Sequence, residues 1–106
     1  MTGFLPIFLM TNNSKQISLS NKVKLPDSVL LEDMAGEAIM LDMTTEQYHA
    51  LDEVGARMLG VLIESESIQA AISTLLEEFE VTPEVLQADL LEYIENLNSD
   101  GLVEII

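Results

Sequence analysis

Cysteine is absent from the 106 residues, so neither a disulfide framework nor a thiolate nucleophile is available. Histidine occurs once, at His49, and a lone imidazole cannot assemble a zinc site of the usual kind. Basic residues are scarce: 4 Lys and Arg stand against 19 Asp and Glu, a formal net charge of -15. Such a field repels phosphate backbones and anionic lipid, which excludes nucleic acid and a membrane surface as partners and favours a cationic one. For most of these carboxylates, a solvated surface that keeps the chain soluble is the simpler reading. Long apolar runs are missing too. The opening MTGFLPIFLM contains Pro6, has no basic n-region, and is too short for a membrane span or a signal peptide, so it reads as a tail on a cytoplasmic protein, with Met10 as an alternative start.

What is present is a 48% hydrophobic composition in which Leu, Ile, Val and Met recur from Val29 onward, enough for one modest core in one domain. Residues 11–28 are polar and without a sustained period, and read as a flexible lead-in ending near Pro26. The division expected is a tail at 1–22 and a folded domain at 23–106. VLLEDM and EAIMLDM around Ala35-Gly36 form a hairpin pattern, and after a break at Thr44-Thr45 a third strand is expected at 46–51, with Tyr48 and Ala50 on one face. Asp52 suits the N-cap of a first helix reaching about Glu64, with Val54, Met58, Val61 and Leu62 as its apolar stripe. Gly55 and Gly60 each cost that helix about 1 kcal/mol relative to Ala, so close packing against a neighbour is expected at both.

Ser67 caps a second helix whose apolar face runs from Ile68 to Phe79. Thr82-Pro83 opens a third, with Leu86, Leu90, Tyr93, Ile94 and Leu97 inward; Gly101 ends it and LVEII adds a short strand. Three strands followed by three helices with short links make an α+β domain of winged-helix type: a three-stranded antiparallel sheet packed on a helical trihedron. Arg57, which follows Lys24 as the next basic residue, is expected to pair with a carboxylate, Asp89 first among them.

Catalysis is hard to build from these residues. His49 lies in a strand away from any serine or carboxylate motif, and no phosphate loop, calcium loop or metal-binding helix motif occurs, so no catalytic, cofactor-binding or metal-binding residue is assigned and no cofactor is expected. Binding is easier to build. A three-stranded sheet leaves an edge whose unpaired N–H and C=O groups an extended peptide can complete. Leu91 falls about 100 to 120° from the middle of the third helix's core stripe, flanked by Gln87, Glu95 and Asn98, and needs another partner.

The passage AIMLDMTTEQYHALDEVGARMLGVL, followed by SIQAAISTLLEEFEV and ADLLEYIENLNSDGLVEI, resembles the PqqD family, which supplies precursor-peptide recognition proteins to pathways of ribosomally made, modified peptides. The likeness runs over about residues 23 to 105 and rests on Tyr48, Leu51, Asp52 and Gly55, then Asp89-Leu90, then Gly101-Leu102-Val103. Two positions depart from the family's habit: Thr44-Thr45-Glu46 lacks the glycine frequent in that turn, and Met58-Leu59 replaces a frequent aromatic. The resemblance implies non-catalytic binding of a leader peptide as a strand beside Glu46, Gln47, Tyr48, His49, Ala50 and Leu51. The opposite wall would be the third helix at Gln87, Leu91, Glu95 and Asn98. It further implies presentation of that peptide, with basic residues to suit the acidic surface, to a peptidase, a cyclase (as in lasso-peptide pathways) or a radical-SAM enzyme. The alternatives are a winged-helix transcription regulator, against which the acidic third helix argues, and a general protein-interaction domain.

Overall fold

The computed structural model describes residues 17–106; most of the expected 1–22 tail lies outside the described residues. The elements, in chain order, are β1 (Val23–Lys24), β2 (Val29–Met34), β3 (Glu37–Asp42), β4 (Gln47–Leu51), α1 (Glu53–Glu64), α2 (Ile68–Leu76), α3 (Pro83–Ser99) and β5 (Glu104–Ile105). The strands β2, β3 and β4 form an antiparallel meander in that spatial order, and β1 pairs with β5. The three-stranded sheet followed by three helices is the α+β, winged-helix-like architecture expected from the sequence.

Local chemistry accounts for the boundaries. The β2–β3 register pairs Met34 with Glu37 and leaves a two-residue loop, Ala35-Gly36, with φ of 58° and 93°; a hairpin turn with both central residues at positive φ follows the right-handed twist of the strands. Between β3 and β4 the chain turns on Asp42, which is buried: its carboxylate accepts from Thr44 N–H at 3.0 Å and its carbonyl from Glu46 N–H at 2.6 Å. Glu46 has φ of 63° and belongs to this turn, so the third strand begins at Gln47 and not at 46 as expected. The reason is steric. A left-handed residue cannot continue a ladder.

Each helix starts on a side-chain cap. Asp52 accepts from Gly55 N–H at 2.8 Å, Ser67 from Ala70 N–H at 3.1 Å, and Thr82 from Val85 N–H at 3.2 Å. α3 ends with Gly101 at φ 76°, whose N–H bonds to the carbonyl of Asn98 while that of Leu102 bonds to Leu97, a Schellman closure. α2 is shorter than its apolar pattern: it stops at Leu76, and Phe79 follows in a turn, half-buried. The two helical glycines differ. A Cβ on Gly55 would meet the Tyr93 hydroxyl at 3.0 Å, whereas Gly60 has nothing within 4 Å, so close approach explains the first and not the second.

One core joins these parts. Val29 and Met40 from the inner sheet face pack with Leu59 and Leu62 of α1, Ile68 and Leu75 of α2, and Leu90 and Ile94 of α3. Val23 and Val103 close it from the small sheet. The flexible lead-in expected at 11–28 does not hold for the described part. The Leu19 carbonyl accepts from Gln69 N–H at 2.9 Å, the Asn21 carbonyl from Ile68 N–H at 2.8 Å, and Lys22 exchanges two backbone bonds of 2.8 Å with Ile106. Val23 is 1% exposed. Polar composition concealed a strand whose partner lies at the other end of the chain. Among the described residues no helix is long and apolar enough to cross a membrane.

Candidate functional site: an open strand edge and the cavity at its end

Among the described residues β4 is bonded to β3 alone, so its other side is an open edge with alternate backbone N–H and C=O groups unpaired. Along it Gln47, Tyr48 and Ala50 are exposed, and His49 and Leu51 are half-buried on the inner face, opposite Met40 and Ala38. His49 thus has the surroundings of a strand residue. Among the described residues no group of three or more His, Cys, Asp or Glu stands together as a metal site would require.

After Leu51 the chain passes through Asp52 directly into α1, and this short passage fixes the strand end against α3. Tyr93 reaches from α3 and donates its hydroxyl to the Gly55 carbonyl at 3.0 Å. Burial, and then the negative Asp52 nearby, push the Tyr93 phenol up to about 12. On the same side opens a cavity of about 630 Å³, walled by Val54 and Met58 of α1, Phe79 and Val81 of the α2–α3 turn, and Leu86 and Asp89 of α3. Val54 is 53% exposed and Val81 42%, so the first turn of α1 lines this cavity instead of entering the core as its apolar stripe suggested.

The α3 residues singled out from the sequence sit elsewhere on the helix. At about 100° per residue, Leu91 lies about 160° round from Tyr93. Leu91 is half-buried at the edge of the core, and Gln87 and Glu95 are exposed. Asn98, one face with Leu91, donates to the Val103 carbonyl at 3.0 Å and so faces the approach to β5. Tyr93 and Asp89, not Leu91, are what the structure brings beside the residues following β4. The sequence signal was narrow: Val81 and Val85, around the Thr82-Pro83 start of α3, are apolar residues outside that helix's core stripe, whereas Val54 and Met58 read as core.

The pairing expected between Arg57 and Asp89 does not form. Arg57 donates to Glu78 just past the end of α2, Nε to Oε1 at 2.8 Å with Nη2 on the second oxygen. This bidentate contact raises the guanidinium and holds the Glu78 carboxyl below its ordinary range. Glu78, in the turn that follows α2, lines the same cavity as Asp89 and is the carboxylate that Arg57 reaches. Asp89 stays on the cavity wall with Glu80.

A three-stranded meander with β4 at one edge, backed by a three-helix body and followed past Leu51 by an apolar cavity, makes a winged-helix-like domain. Residues 37–103 match coenzyme PQQ synthesis protein D (PqqD), and the chain belongs to that family. Two solved structures are similar over nearly their full length. TbiB1, in complex with the TbiA(beta) leader peptide, is 26% identical with a TM-score of 0.72, covering 76% of this chain and 94% of that one. Lasso peptide synthetase B1, complexed with the leader peptide, is 18% identical with a TM-score of 0.71, covering 78% and 98%, a likeness of fold. Comparison with curated proteins gave no match.

Proposed function

We propose that this protein is a non-catalytic recognition module that binds the leader region of a ribosomal precursor peptide and presents it to a processing enzyme. The observation that carries the reading is the open β4 edge together with the apolar cavity between α1 and α3 that begins at Val54, just past the strand. Family membership and the leader-peptide complexes of the similar structures support it. In this reading the leader adds as an antiparallel strand along 47–51, its backbone supplying affinity, and its residues beyond Leu51 place an apolar side chain between Val54, Val81 and Leu86. Asp89 and Glu80 at the cavity suit a leader with lysine or arginine beside that side chain. The enzyme that takes the peptide onward is a peptidase, a cyclase or a radical-SAM protein. An acidic α3 carrying Glu84, Asp89, Glu92 and Glu95 opposes the DNA-binding alternative.

The test is titration of the leader half of a short precursor peptide, sought as an open reading frame beside the gene. Val54→Asp is expected to weaken binding by about 1–3 kcal/mol through a lost apolar contact and an added desolvation cost, with folding retained because the position is exposed. Leu91→Asp, on the other flank of α3, is expected to change affinity much less. The reverse ranking would move the peptide to the Gln87–Leu91 flank; no binding at all would end the proposal.

A further inference from the structure

The sheet has a second face that no described element covers. Period-two alternation sends Val29, Met40 and Ala38 inward and leaves Leu30, Leu41 and Tyr48 outward, aligned across all three strands by the register Leu30–Leu41–Tyr48. Ile39 and Ala50 form the next row, with Glu32 beside them. Leu30 is 51% exposed and Tyr48 71% on either side of Leu41, and Met34, four residues along β2, is 52% exposed. An antiparallel sheet with one face on a core ordinarily turns polar residues to water, so an apolar row across three strands is a departure that marks an interaction surface.

Charge identifies the occupant. The sheet and its turns, from Leu25 to Ala56, carry carboxylates from Asp27 to Glu53 and neither lysine nor arginine. A second copy of this chain would set Glu32 and Glu37 against their own like and is disfavoured by the same field. We infer that the outer sheet face docks a folded partner protein whose apolar patch is ringed by lysine or arginine. The face meets the β4 edge only at Tyr48 and Ala50, and Leu30, Ile39 and Leu41 lie on β2 and β3, so the partner and a bound leader sit on the same molecule together. Resting on the reading above, this partner is the enzyme that receives the peptide.

The probe is an amphipathic leucine–lysine helical peptide, titrated against the isotopically labelled full chain in 150 mM salt, with a leucine–glutamate peptide as control. Amide shifts are expected to centre on Leu30, Ile39, Leu41 and Tyr48, and the double variant Leu30→Ser/Met34→Ser is expected to lose at least tenfold in affinity. That variant lies on β2, two strands from the peptide edge, so leader binding should persist in it; loss of leader binding in the wild type alone would count against the module, not against this face. Shifts confined to the α1–α3 cavity, equal binding of the leucine–glutamate peptide, or unchanged affinity in the variant would overturn the inference. So would self-association abolished by Leu30→Ser, which gives the face to a second copy. Shifts of these same residues on deleting 1–16 would give it to the chain's own N-terminal segment.

Discussion

Tyr93 shows how one side chain sets the geometry of the site. Its ring packs at the edge of the core while its hydroxyl ties α3 to the Gly55 carbonyl in the first turn of α1, and Gly55 leaves the space that this contact occupies. Tyr93→Phe keeps the ring and removes the bond, so a loss of about 1 kcal/mol is expected in urea melts. Its pH dependence has a definite sign. The folded phenol, raised from 10.0 to about 12, favours the protonated form, so the contribution is complete below pH 10 and fades as pH rises through 12. Wild type is expected to lose stability over that window more steeply than Tyr93→Phe; parallel curves would show that Tyr93 does not titrate there. Glu46 is the other instructive residue. Its φ of 63° is a conformation that costs a non-glycine residue about 1 kcal/mol, and the PqqD resemblance marks a glycine as frequent in this turn. Glu46→Gly is expected to raise the melting temperature, the relief of strain exceeding the added freedom of the unfolded chain.

At the level of elements, legibility followed locality. The three helices were readable because Asp52, Ser67 and Thr82-Pro83 announce their starts and Gly101 the end of the last, signals contained within a few residues of each boundary. The meander was readable for the same reason: Ala35-Gly36 needs only its neighbours. β1 was not, since two residues in a polar stretch show no period and their partner is Glu104–Ile105. The elements around the candidate site divided along the same line. The strand at 47–51 was legible, whereas the face that α3 turns toward its end depends on how α3 rotates against α1, which sequence spacing alone does not specify. The lead-in also holds a device that only the tertiary fold reveals: Lys22 donates to the carbonyls of Ile63 and Ser65, 2.8 Å each, at the C-terminal end of α1, where a cation meets the negative end of the helix dipole. Lys22→Met keeps the aliphatic stem and leaves those carbonyls without their donor; a loss of about 1–2 kcal/mol in chemical denaturation is expected. An unchanged midpoint would mean that water replaces the ammonium at no cost.

For the molecule as a whole the dominant quantity is the charge of -15. Among the described residues the ion pairs are Lys24–Glu104 and Arg57–Glu78, both exposed enough that each is worth little, so most carboxylates act through mutual repulsion and not through pairing. Compaction brings those charges together, and the folded state therefore bears more of the repulsion than the unfolded chain. Added salt screens it, since the Debye length falls from about 30 Å at 0.01 M to about 8 Å at 0.15 M. Stability is expected to rise over that range. A gain of about 1 kcal/mol would appear as a melting temperature ~4–8 °C higher for a domain of this size. Binding of a basic leader should move the other way, because the same screening weakens its attraction to Asp89, Glu80 and the carboxylates around the sheet, while the strand's hydrogen bonds and the apolar cavity keep part of the affinity. The two measurements belong together: thermal melts and leader titrations across one salt series, in one buffer. Opposite slopes are the expected result. A melting temperature that falls with salt would mean that attractive pairs outweigh repulsion in the folded state. An affinity that does not fall would mean that the peptide is held by backbone and apolar contacts, with the acidic surface serving only solubility.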